Sequence, residues 1–460
     1  MTPNWTTLRE ILLPVTGGRG RRVESALRAA VRGGQLAPGI RLPSSRDLAA
    51  QLGVARGTIT AAYGQLVAEG YLVSRRGSGT TVAAALGHPA APPQPAPPPA
   101  SWRFDLRPGI PALAAFPRAE WVAATRAALA DLPDEALGYP DPAGLAELRA
   151  ELAGYLGRVR AVAASADDVV ITHGGAEALS VLAHALLASG HRDIAVEEPG
   201  HPGQADLLRA NGLRPVPVQV DGAGIVVDAL AATRCRAVVV TAAHQFPLGV
   251  ALHPDRRRAL LTWARDRAGV IVEDDYDAEH RYDRPALRAM QAMDPAHVAY
   301  LGSVSKTLAP ALRLGWLVLP PALRAETVER KRLTDLGCSP LPQAAFAGLL
   351  RTGGYDRHLR RTRALYRQRR DALLSAVAAH LPAWHPVGVA AGLHVVLRLP
   401  ASLDDAAVQR RLAERGIHAP ALSTYTRGGA GAPYPGLVLG YAATSPDRLR
   451  AAVREIALTV

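Results

Sequence analysis

The chain has 460 residues, with 53 Lys plus Arg against 40 Asp plus Glu and a formal net charge of +13. A composition that is 48% hydrophobic and 20% charged excludes wholesale disorder. Two cysteines, Cys235 and Cys338, exclude a disulfide framework and a Cys-based zinc module, and no apolar run approaches the ~18–20 residues that span a bilayer. Met1–Glu10 lacks the basic stretch and apolar core of a secretory signal. The expectation is a cytoplasmic protein with no membrane partner, of two to four domains at roughly 100–200 residues each. Only Lys306 and Lys331 are lysines, so a function that requires Lys has two places to be.

In chain order, the first body spans residues 1–82 and carries 11 Arg against 4 acidic residues. That local excess points to a polyanion partner. Val23, Ala26, Leu27, Ala30 and Val31 fall at helical spacing in Arg22–Val31, which Gly33-Gly34 ends. Ser44 with Asp47 three residues later opens a short helix through Gln51, stopped by Gly53. Thr58–Glu69 is a third helix, with Ile59, Ala62, Tyr63, Leu66 and Val67 on one face. Tyr71–Ser74 and Thr80–Val82 alternate like strands around a basic, glycine-rich tip, Arg75-Arg76-Gly77-Ser78-Gly79. Two short helices joined by a tight turn, followed by a basic hairpin, make a winged helix-turn-helix whose second helix enters the major groove of double-stranded DNA. Arg46, Arg56 and Thr58 are the candidate contacts at the helix entries. Arg75, Arg76 and Gly77 are those of the wing.

Seven prolines in the eleven residues Pro89–Pro99 favour extended polyproline II, so residues 83–102 read as a semi-rigid linker. Beyond it, short β-branched runs alternate with helical patterns. Strands are expected at Val169–Thr172, Ile194–Glu197, Pro215–Val220, Ala237–Thr241, Val270–Glu273, Val298–Gly302 and Gly315–Val318, with helices such as Ala176–Leu187 and Asp255–Arg267 between them. This is the pattern of a mostly parallel α/β sheet covered on both faces. Helices at Gln343–Thr352 and Tyr355–His380 and a strand at Leu393–Leu399 fit a smaller α+β domain. The expected boundaries are a large part at about 136–335 and a small part at about 103–135 plus 336–460.

Four segments of this body carry chemistry, each after a strand, where ligands of open α/β sheets gather. In Ser303-Val304-Ser305-Lys306, with Arg313 seven residues on, the amine can form a Schiff base with an aldehyde cofactor. Ser303, Ser305 and Arg313 suit its phosphate. In Glu273-Asp274-Asp275-Tyr276, a carboxylate can keep a pyridine nitrogen protonated and the phenol can donate to a ring oxygen. The 32 residues from Asp274 to Lys306 leave room for one helix and a return strand. Thr172-His173-Gly174-Gly175-Ala176 runs from a strand through glycines into a helix start, an anion cradle. His244–Gly249 is a loop after the fourth strand. Alternatives weighed are Mg²⁺ on Asp274, Asp275, Asp277 and Glu279, and metal binding by His173 or His244. Without clustered His or Cys nearby in sequence, those two read as local hydrogen-bond partners. Lys331, within the charged helical face Arg324–Arg332, reads as solvated.

These motifs carry a resemblance. Gly39–Val54, Thr58-(x4)-Tyr63-(x2)-Leu66-(x2)-Glu69-Gly70-Tyr71 and Gly77-Ser78-Gly79-Thr80 resemble the GntR-type winged helix. Two positions depart from it: Ala55 replaces the usual Ser or Thr before the recognition-helix Arg, and Gly57 a frequent Asn. Tyr139–Arg149, the glycine turn, His244–Gly249, Glu273–Tyr282, Ser303–Gly315 and Gly436–Ala442 resemble fold-type I aminotransferases, and with the winged helix and linker resemble the MocR branch of GntR regulators. The resemblance implies a transcription regulator that holds pyridoxal 5'-phosphate. It senses that cofactor, or an amine or amino-acid effector, through an aldimine, and works as a domain-swapped head-to-tail homodimer on a DNA operator. It makes Lys306 the Schiff-base lysine, Asp274 the partner of the pyridine nitrogen and Tyr276 that of the ring oxygen, with Gly175, Ala176, Ser303, Ser305 and Arg313 at the phosphate. His201 stands where an aromatic residue stacks on the ring, and His244 joins the cofactor set. Transaminases place an Arg near the C-terminus as a carboxylate clamp; Leu437–Tyr441 has none, and Arg427 is nearby. An active aminotransferase with a fused DNA-binding domain is the competing reading, and a residual half-reaction is compatible with either.

Overall fold

The computed structural model describes residues 19–75, 79–83, 102–277, 279–282, 287–427 and 431–460. Met1–Glu10, Arg76, Gly77 and nearly all of the 83–102 linker therefore lie outside the described residues. The chain divides into two units, Met1–Pro99 and Ala100–Val460.

In the first unit, α1 (Arg19–Arg32), α2 (Ser45–Leu52) and α3 (Arg56–Ala68) precede the hairpin β1 (Leu72–Arg75) and β2 (Gly79–Val82), whose register runs from Leu72↔Val82 to Arg75↔Gly79. Of the helix faces read from periodicity, Val23, Leu27, Leu48, Ile59, Ala62 and Leu66 share one core with Leu72 and Val82, whereas Val67, expected on the same face, is exposed. Ser44 accepts from the Asp47 amide, and Gly53 closes α2 at φ 60°, a left-handed turn that Gly adopts without strain. Ala55 caps α3 with no side-chain bond, so one orphan amide of that helix faces solvent or a ligand.

The second unit opens with β3 (Phe104–Asp105), α4 (Arg118–Asp131) and α5 (Ala146–Arg160). Next come β4 (Val169–Thr172), α6 (Gly175–Ala188), β5 (Asp193–Glu198), α7 (Pro202–Ala210), β6 (Arg214–Asp221), β7 (Gly224–Ile225), α8 (Val227–Ala231), β8 (Ala237–Val240), α9 (Pro254–Asp266), β9 (Val270–Asp275), β10 (Val298–Ser303), β11 (Gly315–Val318) and α10 (Pro321–Asp335). It ends with α11 (Pro340–Arg351), α12 (Gly354–His380), β12 (His385–Val387), β13 (His394–Arg398), α13 (Asp405–Glu414), β14 (Ile417–His418), β15 (Gly436–Gly440) and α14 (Pro446–Thr459).

Eight strands form one sheet in the order β4-β11-β10-β9-β8-β5-β6-β7. Six run parallel; β11 is antiparallel to β10 and β4, and β7 to β6. Strand alternation sends neighbours to opposite faces. Val169 and Ile171 pack with Trp316, α5 and α11, whereas Val170 packs with Leu317 and α6. Both faces are covered, which is why these strands read as unbroken apolar runs. A second layer holds β12-β13-β15 under α12 and α14.

Two readings need revision. Helix α11, assigned from sequence to the smaller domain, buries Phe346, Ala347, Leu349 and Leu350 in the large-sheet core beside Trp316. Between β9 and β10 the described residues hold a single 3-10 turn, Gln291–Met293, where a helix was expected. The parallel return there is made by irregular chain that Glu273 pins, accepting from the Met290 and Gln291 amides at 2.8 and 3.2 Å.

The core of the first unit gives a test. Leu48 is fully buried in it, so Leu48→Ala should destabilise that unit by about 2–5 kcal/mol. Denaturant unfolding of the full chain should then show the transition of the first unit moving alone.

Candidate functional site

The carboxyl ends of the parallel strands open on a cavity of about 390 Å³, within the roughly 300–1,000 Å³ range of small-molecule sites. Gly175, Ala176, His201, Asp274, Tyr276, Ser303, Ser305, Lys306 and Arg313 line it together, though up to 138 residues separate them (Gly175 to Arg313). Of the sequence-derived cofactor set, His244 does not line it. Its Nδ1 lies 2.9 Å from Asp277 and 3.1 Å from the Tyr276 hydroxyl, so it sits behind the phenol.

At one end of the cavity, β4 passes through Gly174 (φ 86°) into α6. A Cβ on Gly174 would meet the Arg313 guanidinium at 3.2 Å, and one on Gly315 would meet the Gly174 backbone at 2.8 Å. Close backbone approach requires glycine at 315, and the left-handed φ of 86° favours it at 174. Arg313 donates to the His173 carbonyl. The first amides of α6, with the helix's positive end, therefore face the same space as Ser303, Ser305 and Arg313. This is an anion cradle with its counter-charge in place.

At the other end, Asp274 accepts from Gln204 at 3.1 Å. Burial, together with the neighbouring Asp275 and Asp277 charges, pushes its carboxyl up to about 7. Lys306 donates to the Gly109 carbonyl at 2.6 Å, and burial lowers its pKa against the pull of Asp277 and Asp274. A lysine with a lowered pKa more readily offers a neutral, nucleophilic amine. His201 packs on Phe246 at 5.4 Å between ring centres, and Phe246 also meets Tyr425 at 5.3 Å and His394 at 5.1 Å. Aromatic rings thus wall one side of the cavity.

Sequence reasoning missed several supports. Glu197 lines the cavity, and its Oε2 accepts from the Thr241 amide at 3.1 Å. Asp275, one residue from Asp274, is on the opposite face of β9, where it accepts from Arg160 at 2.7 Å and Tyr300 at 2.5 Å, all three buried. The acidic run therefore divides between the two sheet faces, and this one-sided partnering with Arg160 argues against a single Mg²⁺ held by Asp274 and Asp275 together. Arg427 pairs with Asp206 and its amide with Glu198, so it is already engaged. Lys331, read as solvated, is fully buried and donates to Glu177 at 2.9 Å and Asp335 at 2.7 Å. His173 does have a cysteine beside it, Cys338, at 3.6 Å. The 165 residues between them hid the pair.

In the first unit Arg46, Arg56 and Arg75 are exposed and Thr58 is half-buried. Arg56 reaches Ser45 at 3.5 Å, which joins the starts of α2 and α3 on one surface. An exposed arginine that sequence reasoning passed over, Arg41, bridges to Thr81 and lies so close to Gly79 that a Cβ there would clash at 2.8 Å.

Residues 19–82 match the family of bacterial regulatory proteins, gntR family, and residues 112–456 match aminotransferase class I and II. The HTH-type pyridoxine biosynthesis transcriptional regulator PdxR of Corynebacterium glutamicum is 35% identical, over 94% of this chain and 93% of its own. The probable rhizopine catabolism regulatory protein MocR of Rhizobium meliloti is 33% identical, over 95% and 92%. Among solved structures, a multiple substrate aminotransferase from Thermococcus profundus aligns at a TM-score of 0.71 with 25% identity, over 79% of this chain and 92% of its own. No helix of the described residues is long and apolar enough to cross a membrane.

Removing one partner of a buried ion pair leaves the other uncompensated. Arg160→Ala should destabilise the second unit by about 3–5 kcal/mol, read as a lower denaturation midpoint for that unit in the full chain.

Proposed function

From a chain that belongs to the GntR transcription regulators, in the MocR and PdxR branch that joins a winged helix to an aminotransferase class I and II body, we propose a cytoplasmic regulator that holds pyridoxal 5'-phosphate. In this reading the cofactor, or an amine or amino acid meeting it, acts as the effector. The observation that carries the proposal is the convergence of Lys306, Asp274 and the Gly174–Arg313 cradle on one cavity.

The residues fit the group. When bound, pyridoxal phosphate supplies an aldehyde open to an amine and an electron-withdrawing pyridine ring. The α6 amides, Ser303, Ser305 and Arg313 would take its phosphate. Asp274 would face its ring nitrogen, where a cationic N–H restores the charge that burial now disfavours in this carboxyl. Tyr276 would donate to the ring oxygen, with His244 and Asp277 fixing the phenol from behind. His201 and Phe246 would cover one ring face. Lys306 supplies the amine, and an incoming amine effector would compete with it. Such an effector can shift the protein only through different affinity for two states.

Two observations favour regulation over sustained turnover. Strand β15 presents Leu437, Val438 and Leu439, all buried, where transaminases place a clamping Arg, and Arg427 is held by Asp206. Without a bidentate clamp a substrate carboxylate is poorly positioned. In this reading the protein works as a head-to-tail homodimer, for which the exposed apolar side chains on and around α4, among them Val122 and Leu129, are available.

Two experiments test this reading. Full-length protein given pyridoxal phosphate should gain the visible absorbance of a lysine-bound cofactor, and Lys306→Ala should lose it; an unchanged spectrum in the variant overturns the assignment. On DNA from upstream of its own gene, Arg46→Ala or Arg56→Ala should weaken binding by about 1–3 kcal/mol if the side chain reads a base. If it meets a phosphate, the slope of affinity against salt should instead fall by about 1. Gel shifts with and without cofactor should differ in affinity or position.

A further inference from the structure

Outside the cofactor cavity, four potential metal-binding side chains converge beside the glycine turn. His173, Glu177, Asp335 and Cys338 each place a donor atom within 4.8 Å of the others. They come from three places in the fold: the end of β4, the first turn of α6, and the last residue of α10 with the loop after it. We infer that these four residues form a divalent transition-metal site, of the kind that takes zinc.

Zinc binds N, O and S donors at about 2.0–2.3 Å, and a tetrahedron of such bonds has edges of about 3.3–3.8 Å. Two spacings from the His173 Nδ1 match, 3.6 Å to the Cys338 Sγ and 3.3 Å to a Glu177 oxygen. The Asp335 oxygen, now at 2.9 Å, would move out by about 0.4 Å to complete the tetrahedron. A thiolate, an imidazole and two carboxylates make a donor set suited to zinc, whereas an all-oxygen site would suit Mg²⁺ or Ca²⁺.

The surroundings hold the donors in place. Lys331 is fully buried and bonds to Glu177 and Asp335 at 2.9 and 2.7 Å. The Gly337 amide donates to the second Asp335 oxygen at 2.8 Å. Outer partners of this sort orient metal ligands. Charge also balances: the metal, with Lys331, offsets Glu177, Asp335 and a Cys338 thiolate. Binding would release the thiol proton and any proton on His173. Without metal, the same side chains and Lys331 form a proton-bearing hydrogen-bonded network, which is the competing state. His173 directly precedes Gly174 and its carbonyl accepts from Arg313. Metal occupancy would therefore stiffen the cradle segment.

The test uses full-length protein and cobalt(II) as a spectroscopic stand-in for zinc. After desalting, one cobalt per chain should remain. It should show ligand-field bands at the red end of the visible, away from cofactor absorption, and zinc should displace them. Cys338→Ser should change that spectrum, and His173→Gln should lower retained metal at least tenfold. No retained stoichiometric metal, or a spectrum untouched by Cys338→Ser, overturns the site and leaves the proton-bearing network. Because the bands do not require pyridoxal phosphate, this outcome is independent of whether the cavity binds cofactor.

Discussion

The second unit depends on how β9 disposes of its carboxyl groups. Glu273, Asp274 and Asp275 follow one another at the end of a central, fully covered strand, with Asp277 just beyond. So many buried charges persist only if each is partnered or protonated. Strand alternation solves part of the problem. Asp275 turns to Arg160 and Tyr300, Glu273 to the amides of the returning chain, and Asp274 alone turns to the cavity. There it has a glutamine bond and the field of Lys306, and its carboxyl remains pushed up. The site thus holds a buried carboxyl that resists ionising, close to the Lys306 amine. In the proposed reading a cationic ring N–H would favour its charged form.

The same economy governs the opposite end of the cavity. Gly315 lies so close to the Gly174 backbone that it cannot carry a side chain, and at Gly174, with φ 86°, a Cβ would be strained and would crowd the Arg313 guanidinium that reaches across the turn. Backbone amides and a guanidinium then present several donors to one anion, an arrangement that binds a phosphate more specifically than a point charge does. The glycines are therefore part of the recognition, even though they offer it no functional group.

Much of this was legible in the sequence because the chemistry lies on short segments at strand ends. Ser303, Ser305, Lys306, Gly175, Ala176, Asp274 and Tyr276 line one cavity, and the winged helix shows its Ser44 cap and most of its apolar face in the sequence. What escaped was set by contacts distant in sequence. Lys331 looked solvated inside a charged stretch, yet Leu323, Thr327 and Lys331 recur every four residues and are all buried. That stripe was the available signal, and only its partner Glu177, 154 residues away, explains why a lysine can lie on it. His244 was placed at the cofactor because its loop follows a strand; its ring instead stacks toward Tyr276 and His394. Arg160 ends an ordinary amphipathic helix, and nothing local marks it as the counter-ion of Asp275.

The departures from transaminase chemistry also make physical sense together. Turnover needs a substrate held at two points, its amine at the cofactor and its carboxylate at a fixed cation. Here Arg427 does not line the cavity and pairs with Asp206 at the surface, and Leu437, Val438 and Leu439 of β15 are aliphatic. The wall formed by His201 and Phe246, backed by Tyr425, instead favours apolar contact. In the proposed reading, a bound amine would be anchored at one end and loosely sorted at the other. Such a site would distinguish bound from unbound and would orient bonds for reaction poorly. For a protein whose other unit reads DNA, that distinction is the useful output: occupancy can be converted into a conformational bias without consuming the ligand.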